Sequence, residues 1–232
     1  MHKINNEYPG AIIFDLDGTL INSAASILRS LEEAIGLVLS GWDQCVDQSE
    51  IGPPINEIIV GLLPECSLET RKLIEHHYRN IYDARGALDV QPYEGVLNFL
   101  MTAKSVGTRI FIVTNKPKLP TANILRQLKL DRLIEKFVSP DSVEAKYKNK
   151  VESVLALMYE KKLSALNGGC ILVGDSIDDA EAAYHAKLPF VAVAFGYGDA
   201  SSQIKFPIAM RINCFNELND SIFNSRITLP LP

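Results

Sequence analysis

The chain of 232 residues is long enough for one large domain, or for one domain that carries a smaller insertion. Hydrophobic residues make up 47% and charged residues 22%, and the net charge of −5 argues against a nucleic-acid-binding surface and favours small-molecule partners. The four cysteines form no Cys-x-x-Cys pair, the N-terminus lacks a signal-peptide core, and no apolar run reaches the ~20 residues of a membrane span, so we expect a reduced, cytoplasmic protein without a membrane partner.

The first predicted element is a short apolar strand that ends in acidic residues. Residues 11–14 are followed by Asp15, Asp17 and Gly18. Because side chains alternate along a strand, the carboxylates at 15 and 17 are expected to point the same way. Two carboxylates this close raise each other's pKa, whereas a bound divalent metal keeps both ionised. An ordinary strand followed by an Asp-Gly turn is the alternative, and this segment alone leaves both open.

Residues 22–90 are predicted to form a small helical domain inserted after the first strand. Apolar residues recur at helical spacing in the segments 26–35, 56–63 and 69–82. The insertion is expected to begin near Asn22 and to end at residues 90–95, where proline and glycine supply a turn. Residues 1–21 and 91–232 would then form the core domain.

From Gly107 onward, apolar runs alternate with amphipathic segments, which predicts an α/β fold with a doubly wound, mainly parallel sheet covered by helices. The runs are Arg109–Thr114, Cys170–Gly174, Phe190–Phe195 and, more weakly, Ile208–Ile212. They are nearly continuous rather than alternating, which indicates strands that are buried on both faces. In open parallel sheets, ligands bind at the carboxyl ends of the strands, so the residues that end these runs are expected to share one site.

Several of these strand-ending residues have side chains that could bind a phosphate or a metal. Thr114 and Asn115 end the second run with a hydroxyl and an amide, and Lys116 follows as a possible cation. Asp175 and Asp179 follow the third run on a turn that leads into a helix. Together with the first pair of acids, these groups would supply a nucleophile, a proton carrier, metal ligands and donors for phosphate oxygens.

The order of these residues resembles the four motifs of the haloacid dehalogenase (HAD) superfamily. The matching positions are Asp15-x-Asp17-Gly18-Thr19, Thr114, a lysine before residue 151, and Gly174-Asp175-Ser176-x-x-Asp179. The helical insertion and the sequence Ile-Gly-Pro-Pro-Ile at 51–55 resemble the cap of the phosphoglycolate phosphatase-like branch. The resemblance implies a Rossmann-like core with a helical cap. It also implies Mg²⁺-dependent hydrolysis of a small phosphate monoester, such as phosphoglycolate, a nucleotide or a sugar phosphate, by a monomer or homodimer.

The resemblance also implies a role for each motif residue. Asp15 would attack phosphorus and form an aspartyl-phosphate, and Asp17 would protonate the leaving alcohol and then deprotonate the attacking water. The Asp15 carboxylate, the Asp17 backbone carbonyl and Asp175 would hold Mg²⁺. Thr114, Asn115 and the lysine would neutralise the phosphate oxygens.

The identity of that lysine is left open between two candidates. The helix at 151–161 follows Lys150 at the spacing seen in the family, which favours Lys150, and Lys148 is the alternative. Asp179 is expected in a supporting role, either bracing the lysine or reaching the metal through water. Asp178 is interpreted as an acid that stabilises a helix N-terminus, and Gly18 as a permissive turn residue.

Other functions are consistent with parts of the pattern. A dehalogenase does not need Asp17, because halide leaves without a proton, whereas a phosphomutase on the same core stays open. A phosphonate hydrolase would need a lysine in the insertion, and Lys72, the only one there, is expected to face solvent. Outside enzymes, a phospho-aspartate signalling domain would be about half as long and lack the insertion, and a catalytically silent binding protein would not need all of these residues.

Overall fold

A computed structural model describes residues 8–85, 89–143, 147–165, 169–198, 205–225 and 230. Its strands are β1 (Ala11–Phe14), β2 (Ile21–Asn22), β3 (Gln91–Pro92), β4 (Arg109–Val113), β5 (Lys136–Val138), β6 (Cys170–Gly174), β7 (Phe190–Val193) and β8 (Met210–Ile212). Six of them form one sheet in the order β5-β4-β1-β6-β7-β8, in which every neighbouring pair is parallel. The predicted α/β fold class is therefore confirmed.

The central strands are apolar throughout because both faces of the sheet are covered. Along β1, Ile12 and Phe14 join one hydrophobic cluster, whereas Ala11 and Ile13 join the cluster on the other face. All four are buried, as the continuous apolar run predicts. The runs at 109–114 and 190–195 end as strands at Val113 and Val193, and the weak run at 208–212 becomes a strand at Met210.

The described helices of at least five residues are α1 (Ala24–Val38), α2 (Ile55–Leu62), α3 (Leu68–Ala84), α4 (Val96–Ser105), α5 (Lys118–Gln127), α6 (Lys150–Lys161), α7 (Ile177–His185) and α8 (Phe215–Asn219), which continues into a π-helical turn, Asp220–Asn224. α6 and α7 bury their apolar side chains in one cluster, whereas α4, α5 and α8 contribute to the other. Among the residues that the structure describes, no helix has both the length and the apolarity needed to cross a bilayer.

The helices α1, α2 and α3 all lie between β2 and β3. These two short strands pair antiparallel, with Ile21 opposite Pro92 and Asn22 opposite Gln91, so the chain enters and leaves this helical segment side by side. α1 and α3 pack against each other, and α2 packs against α3. The predicted helices at 26–35, 56–63 and 69–82 correspond to these three elements.

Candidate active site

Three neighbouring strands deliver polar side chains to one edge of the sheet. β1 lies between β4 and β6, and these strands are followed by Asp15, Thr114 and Asp175. The backbone N–H of Asp15 donates to the carbonyl of Val173 at 3.0 Å, which extends the strand pairing up to the carboxylate. All three polar residues are buried, with 3–6% of their surface exposed. Parallel pairing therefore brings together the strand-ending residues that the sequence singled out.

A buried lysine lies between two of the acidic residues. The Nζ atom of Lys150, the first residue of α6, donates to Oδ1 of Asp15 at 2.7 Å and to Oδ1 of Asp179 at 2.8 Å. Lys148 is exposed and Lys146 lies outside the described residues. Of the two candidate lysines, the structure thus brings Lys150 to the acidic cluster.

Asp179 is fixed by its own helix terminus. Its Oδ2 atom accepts hydrogen bonds from the backbone N–H of Ser176 at 3.0 Å and from the Ser176 hydroxyl at 2.6 Å. The backbone N–H of Asp179 in turn donates to the Ser176 hydroxyl oxygen at 3.3 Å, and together with the bond from the Ser176 backbone this forms a capping box at the start of α7. The carboxylate that holds Lys150 is therefore itself held rigidly, which fits a bracing position.

The carboxylate of Asp175 is surrounded by donors. Oδ1 accepts from the Thr19 hydroxyl at 2.9 Å, and Oδ2 accepts from the backbone N–H groups of Tyr197 at 2.8 Å and Gly198 at 3.1 Å. Gly18 has φ of 80°, and a Cβ atom there would lie 2.3 Å from Oδ2 of Asp175. Glycine is needed at this turn both for its backbone conformation and for the close approach of Asp175.

The acidic cluster has the composition of a divalent metal site. Carboxylate oxygens of Asp15, Asp175 and Asp179 lie within 4.8 Å of one another. Burial raises the pKa of Asp15 well above its usual value. The charge of Lys150 lowers this pKa, and the charges of Asp179 and Asp175 raise it further. Burial and Asp179 also raise the pKa of Asp175 to about 6. A bound cation would keep all three carboxylates ionised, and with one ammonium they would present it with two net negative charges, so this set of hard oxygen donors fits a cation such as Mg²⁺.

Asp17 is held by groups on both of its oxygens. Oδ1 accepts from the Ser23 hydroxyl at 2.5 Å, and Oδ2 lies 3.1 Å from Nζ of Lys116. That same Nζ donates to the Tyr82 hydroxyl at 3.0 Å and lies 4.5 Å from the centre of the Tyr82 ring. Burial opposes the charge on Lys116, but Asp17 and the tyrosines Tyr82 and Tyr78 raise the pKa of Lys116 above its usual value.

The two residues that follow β4 have defined partners. The Thr114 hydroxyl accepts from the backbone N–H of Lys116 at 3.1 Å. The side-chain amide of Asn115 donates to Oδ2 of Asp178 at 3.0 Å. Asp178 therefore does more than act as an acid in the first turn of α7, because it also ties that helix to the end of β4.

A second tyrosine links the acidic cluster to the helical segment. The Tyr197 hydroxyl accepts from the backbone N–H groups of Ser23 at 2.5 Å and Ala24 at 2.9 Å, at the start of α1. The backbone N–H of the same residue donates to Asp175. The sequence did not single out Ser23, Tyr82 or Tyr197 for the site, because their contacts depend on how distant segments pack.

The cluster opens into a cavity of about 140 Å³ between the sheet edge and the helical segment. Asp15, Asp17, Thr114, Lys150 and Asp175 line it from the sheet. Ile55, Ile58, Tyr78, Arg79 and Tyr82 line it from the helical segment. The cavity therefore has mainly charged side chains on the sheet side and mainly apolar and aromatic side chains on the helical side.

A sequence profile of the haloacid dehalogenase-like hydrolases matches residues 12–193. The match covers well over half of the chain, which therefore belongs to this family, as the motif resemblance predicts. Among curated relatives, a phosphoglycolate phosphatase of Colwellia psychrerythraea is 26% identical over 219 residues, covering 89% of this chain and 94% of its own. The tyrosine-protein kinase PtkA of Mycobacterium bovis is 28% identical over 197 residues, covering 84% of this chain and 65% of its own.

Solved structures support the same fold. A predicted phosphatase from Clostridium acetobutylicum superposes with a TM-score of 0.80 at 24% identity, covering 94% of this chain and 99% of its own. The family membership and the relatives named phosphatases confirm the expectation of an enzyme. The chain is a hydrolase of the phosphatase type.

Proposed function

We propose that this phosphatase hydrolyses a small phosphate monoester with the help of Mg²⁺, through an aspartyl-phosphate formed on Asp15. One observation carries the proposal, namely the buried cluster of Asp15, Asp175, Asp179 and Lys150 at the floor of a small cavity. Lys150 limits the negative charge next to the nucleophile, where the dianionic phosphate must arrive. Asp15, Asp175 and the backbone carbonyl of Asp17 would hold Mg²⁺, which when bound neutralises charge on the phosphoryl oxygens.

Asp15 and Asp17 divide the proposed reaction between them. An oxygen of Asp15 forms a bond to phosphorus as the bond from phosphorus to the ester oxygen breaks, and Asp17 gives its proton to the leaving alcohol. Asp17 then takes a proton from water, whose oxygen attacks phosphorus and releases inorganic phosphate and the free carboxylate of Asp15. A dehalogenase needs no such acid, so Asp17 supports phosphoryl chemistry.

The remaining site residues would serve the phosphoryl group. Thr114 and Asn115 would donate to its oxygens together with Lys150, which Asp179 braces. The side-chain NH2 group of Asn115 donates one hydrogen to Asp178, and its second hydrogen can donate to a substrate oxygen. Gly18 keeps the turn beside Asp175 free of a side chain.

We further propose that residues 22–90 form a cap domain over a core made of residues 1–21 and 91–232. The paired strands β2 and β3 are the two connections, and the cavity lies between the helices and the sheet edge. Such a cap would exclude bulk water from the site until the leaving group departs. The relatives named phosphoglycolate phosphatase favour a compact monoester such as 2-phosphoglycolate over a nucleotide. Lys72 is exposed and is not among the residues that line the cavity, which gives no support to phosphonate hydrolysis.

The test is a phosphate-release screen over phosphorylated metabolites, with Mg²⁺ and with chelator, comparing kcat/KM values. We expect Mg²⁺-dependent hydrolysis that is fastest for small monoesters and absent in Asp15→Asn. Failure to hydrolyse any member of the panel, or full activity in purified Asp15→Asn, would contradict the proposal.

A further inference from the structure

We propose that Lys116 is a positioning residue through which Tyr82 of the helical segment sets the orientation of the Asp17 carboxylate. The inference rests on the proposed function, because it concerns the residue proposed to carry the proton. The inferred contact would make the orientation of Asp17 depend on whether the helical segment is docked on the core.

Lys116 carries a buried positive charge, and its contacts explain how that charge is stabilised away from water. Only 6% of its side chain is exposed, and its ammonium contacts Oδ2 of Asp17, the hydroxyl of Tyr82 and the face of the Tyr82 ring. Removing an ammonium group from water is unfavourable unless other groups replace its hydration, and here an ionic partner, a hydroxyl and an aromatic face do so. The side chain is thus fixed at both ends, by the end of β4 and by α3.

This arrangement holds Asp17 on both oxygens, with the Ser23 hydroxyl on Oδ1 and Lys116 on Oδ2. A carboxylate held in this way cannot rotate freely, so its two oxygens keep fixed positions beside the cavity that Asp17 lines. Proton transfer requires the acid within about 2.6–3.2 Å of the leaving oxygen, and a misplacement of about 1 Å can lower a rate about 10²-fold. The orientation of Asp17 therefore bears directly on turnover.

The two contacts differ in how they depend on the helical segment. Ser23 directly follows β2 at the connection to the helical segment, and the Tyr197 hydroxyl accepts from its backbone N–H, so its position beside Asp17 does not depend on the end of α3. Tyr82 lies in the last turn of α3 and can reach Lys116 only when that helix is docked. The contact between Tyr82 and Lys116 is thus the one that senses the position of the helices.

Lys116 has an alternative role as a direct ligand of the substrate. A lost substrate contact weakens hydrolysis of all esters to a similar degree, because the phosphate is the same. A misaligned acid instead harms esters in proportion to how much their leaving group needs a proton. Two aryl phosphates of nearly equal size separate these cases, since 4-nitrophenolate leaves without help and phenolate does not.

The experiment measures kcat and KM of the full chain with Mg²⁺ on 4-nitrophenyl phosphate and phenyl phosphate. For Lys116→Met we expect an approximately 10²-fold lower kcat/KM on phenyl phosphate and a much smaller loss of kcat/KM on 4-nitrophenyl phosphate. The ratio kcat/KM reports the phosphorylation of Asp15, whereas kcat also contains hydrolysis of the intermediate, which is common to both esters and needs Asp17 as a base. Tyr82→Phe removes the hydroxyl but keeps the aromatic ring, so we expect the same difference between the two esters with smaller losses. Lys118→Met and Tyr159→Phe change exposed residues and are the matched controls.

A Lys116→Met protein whose kcat/KM falls equally on both esters overturns the inference. If that variant does not fold, Tyr82→Phe decides alone, because it keeps the buried cation. In the double variant we expect no loss beyond that of Lys116→Met, whereas fully additive losses contradict a shared path. Failure of the wild-type chain to hydrolyse these esters and every member of the metabolite panel refutes the proposed function instead, so the two failures are distinguishable.

Discussion

The ammonium group of Lys150 bridges the carboxylates of Asp15 and Asp179, at 2.7 Å and 2.8 Å from their oxygens, and all three side chains are buried. The lysine begins α6, Asp179 lies in the first turn of α7, and Asp15 follows β1. One cation thus joins three elements of the core. We therefore expect both the stability of the fold and the catalytic activity to depend on Lys150.

Replacing Lys150 by methionine should destabilise the metal-free fold. The change leaves Asp15 and Asp179 buried without a positive partner, and breaking a buried pair on one side costs about 3–5 kcal/mol. The free energy of unfolding in urea measures the loss. Lys148→Met removes an exposed lysine two residues away and should leave that free energy nearly unchanged. Equal stabilities of the two variants would show that the bridge is not required.

Binding of Mg²⁺ should stabilise the protein more at pH 7.5 than at pH 5. Burial raises the pKa of Asp175 to about 6, above its usual 3.8. Between pH 3.8 and pH 6, therefore, Asp175 keeps a proton in the native state that it has lost in the unfolded chain. The group therefore lowers the stability of the metal-free protein as pH rises, and a cation that replaces the proton reverses this effect.

The measurement is the shift in Tm on adding Mg²⁺ at the two pH values. In Asp175→Asn we expect the shift to be small at both. A shift in the wild-type chain that does not change with pH, or one that survives in Asp175→Asn, would contradict a metal site at this carboxylate.

Replacing Gly18 by alanine should impair both folding and the response to Mg²⁺. The left-handed backbone costs about 1–3 kcal/mol for a residue with a side chain, and the new Cβ would in addition displace Asp175. Gly41 is a close control because its φ of 87° is similar, but a Cβ there meets nothing within 4 Å. Gly41→Ala should therefore carry the backbone cost alone and keep the full Tm shift with Mg²⁺. If both variants lose the shift equally, the contact with Asp175 is not the cause.

The sequence predicts the part of the site that parallel strands assemble. Asp15, Thr114 and Asp175 each follow a continuous apolar run. Because those runs pair as parallel neighbouring strands, the three residues lie together at one edge of the sheet. The choice between Lys150 and Lys148 depends on which residue begins α6, and no strand pattern determines this. Here the helix register of the family favoured the lysine that the structure brings to Asp15.

The contacts around Asp17 could not be predicted in the same way. Lys116 was visible only as a possible cation, because its partner Tyr82 lies 34 residues away on a helix whose docking no local pattern encodes. In sequence, Tyr82 is only one of the residues on an amphipathic helix. The same applies to Tyr197, whose hydroxyl reaches the start of α1 across 174 positions.

The central claim is a covalent intermediate on Asp15, and the variant Asp17→Asn tests it most directly. With 4-nitrophenyl phosphate, the first step needs no acid, whereas hydrolysis of the intermediate needs the missing base. Rapid acid quenching and mass spectrometry should therefore find a phosphoryl group on the peptide that contains Asp15, together with a burst of about one nitrophenolate per enzyme. Steady release of nitrophenolate without a burst, and with no phosphoryl group on that peptide, would contradict the account.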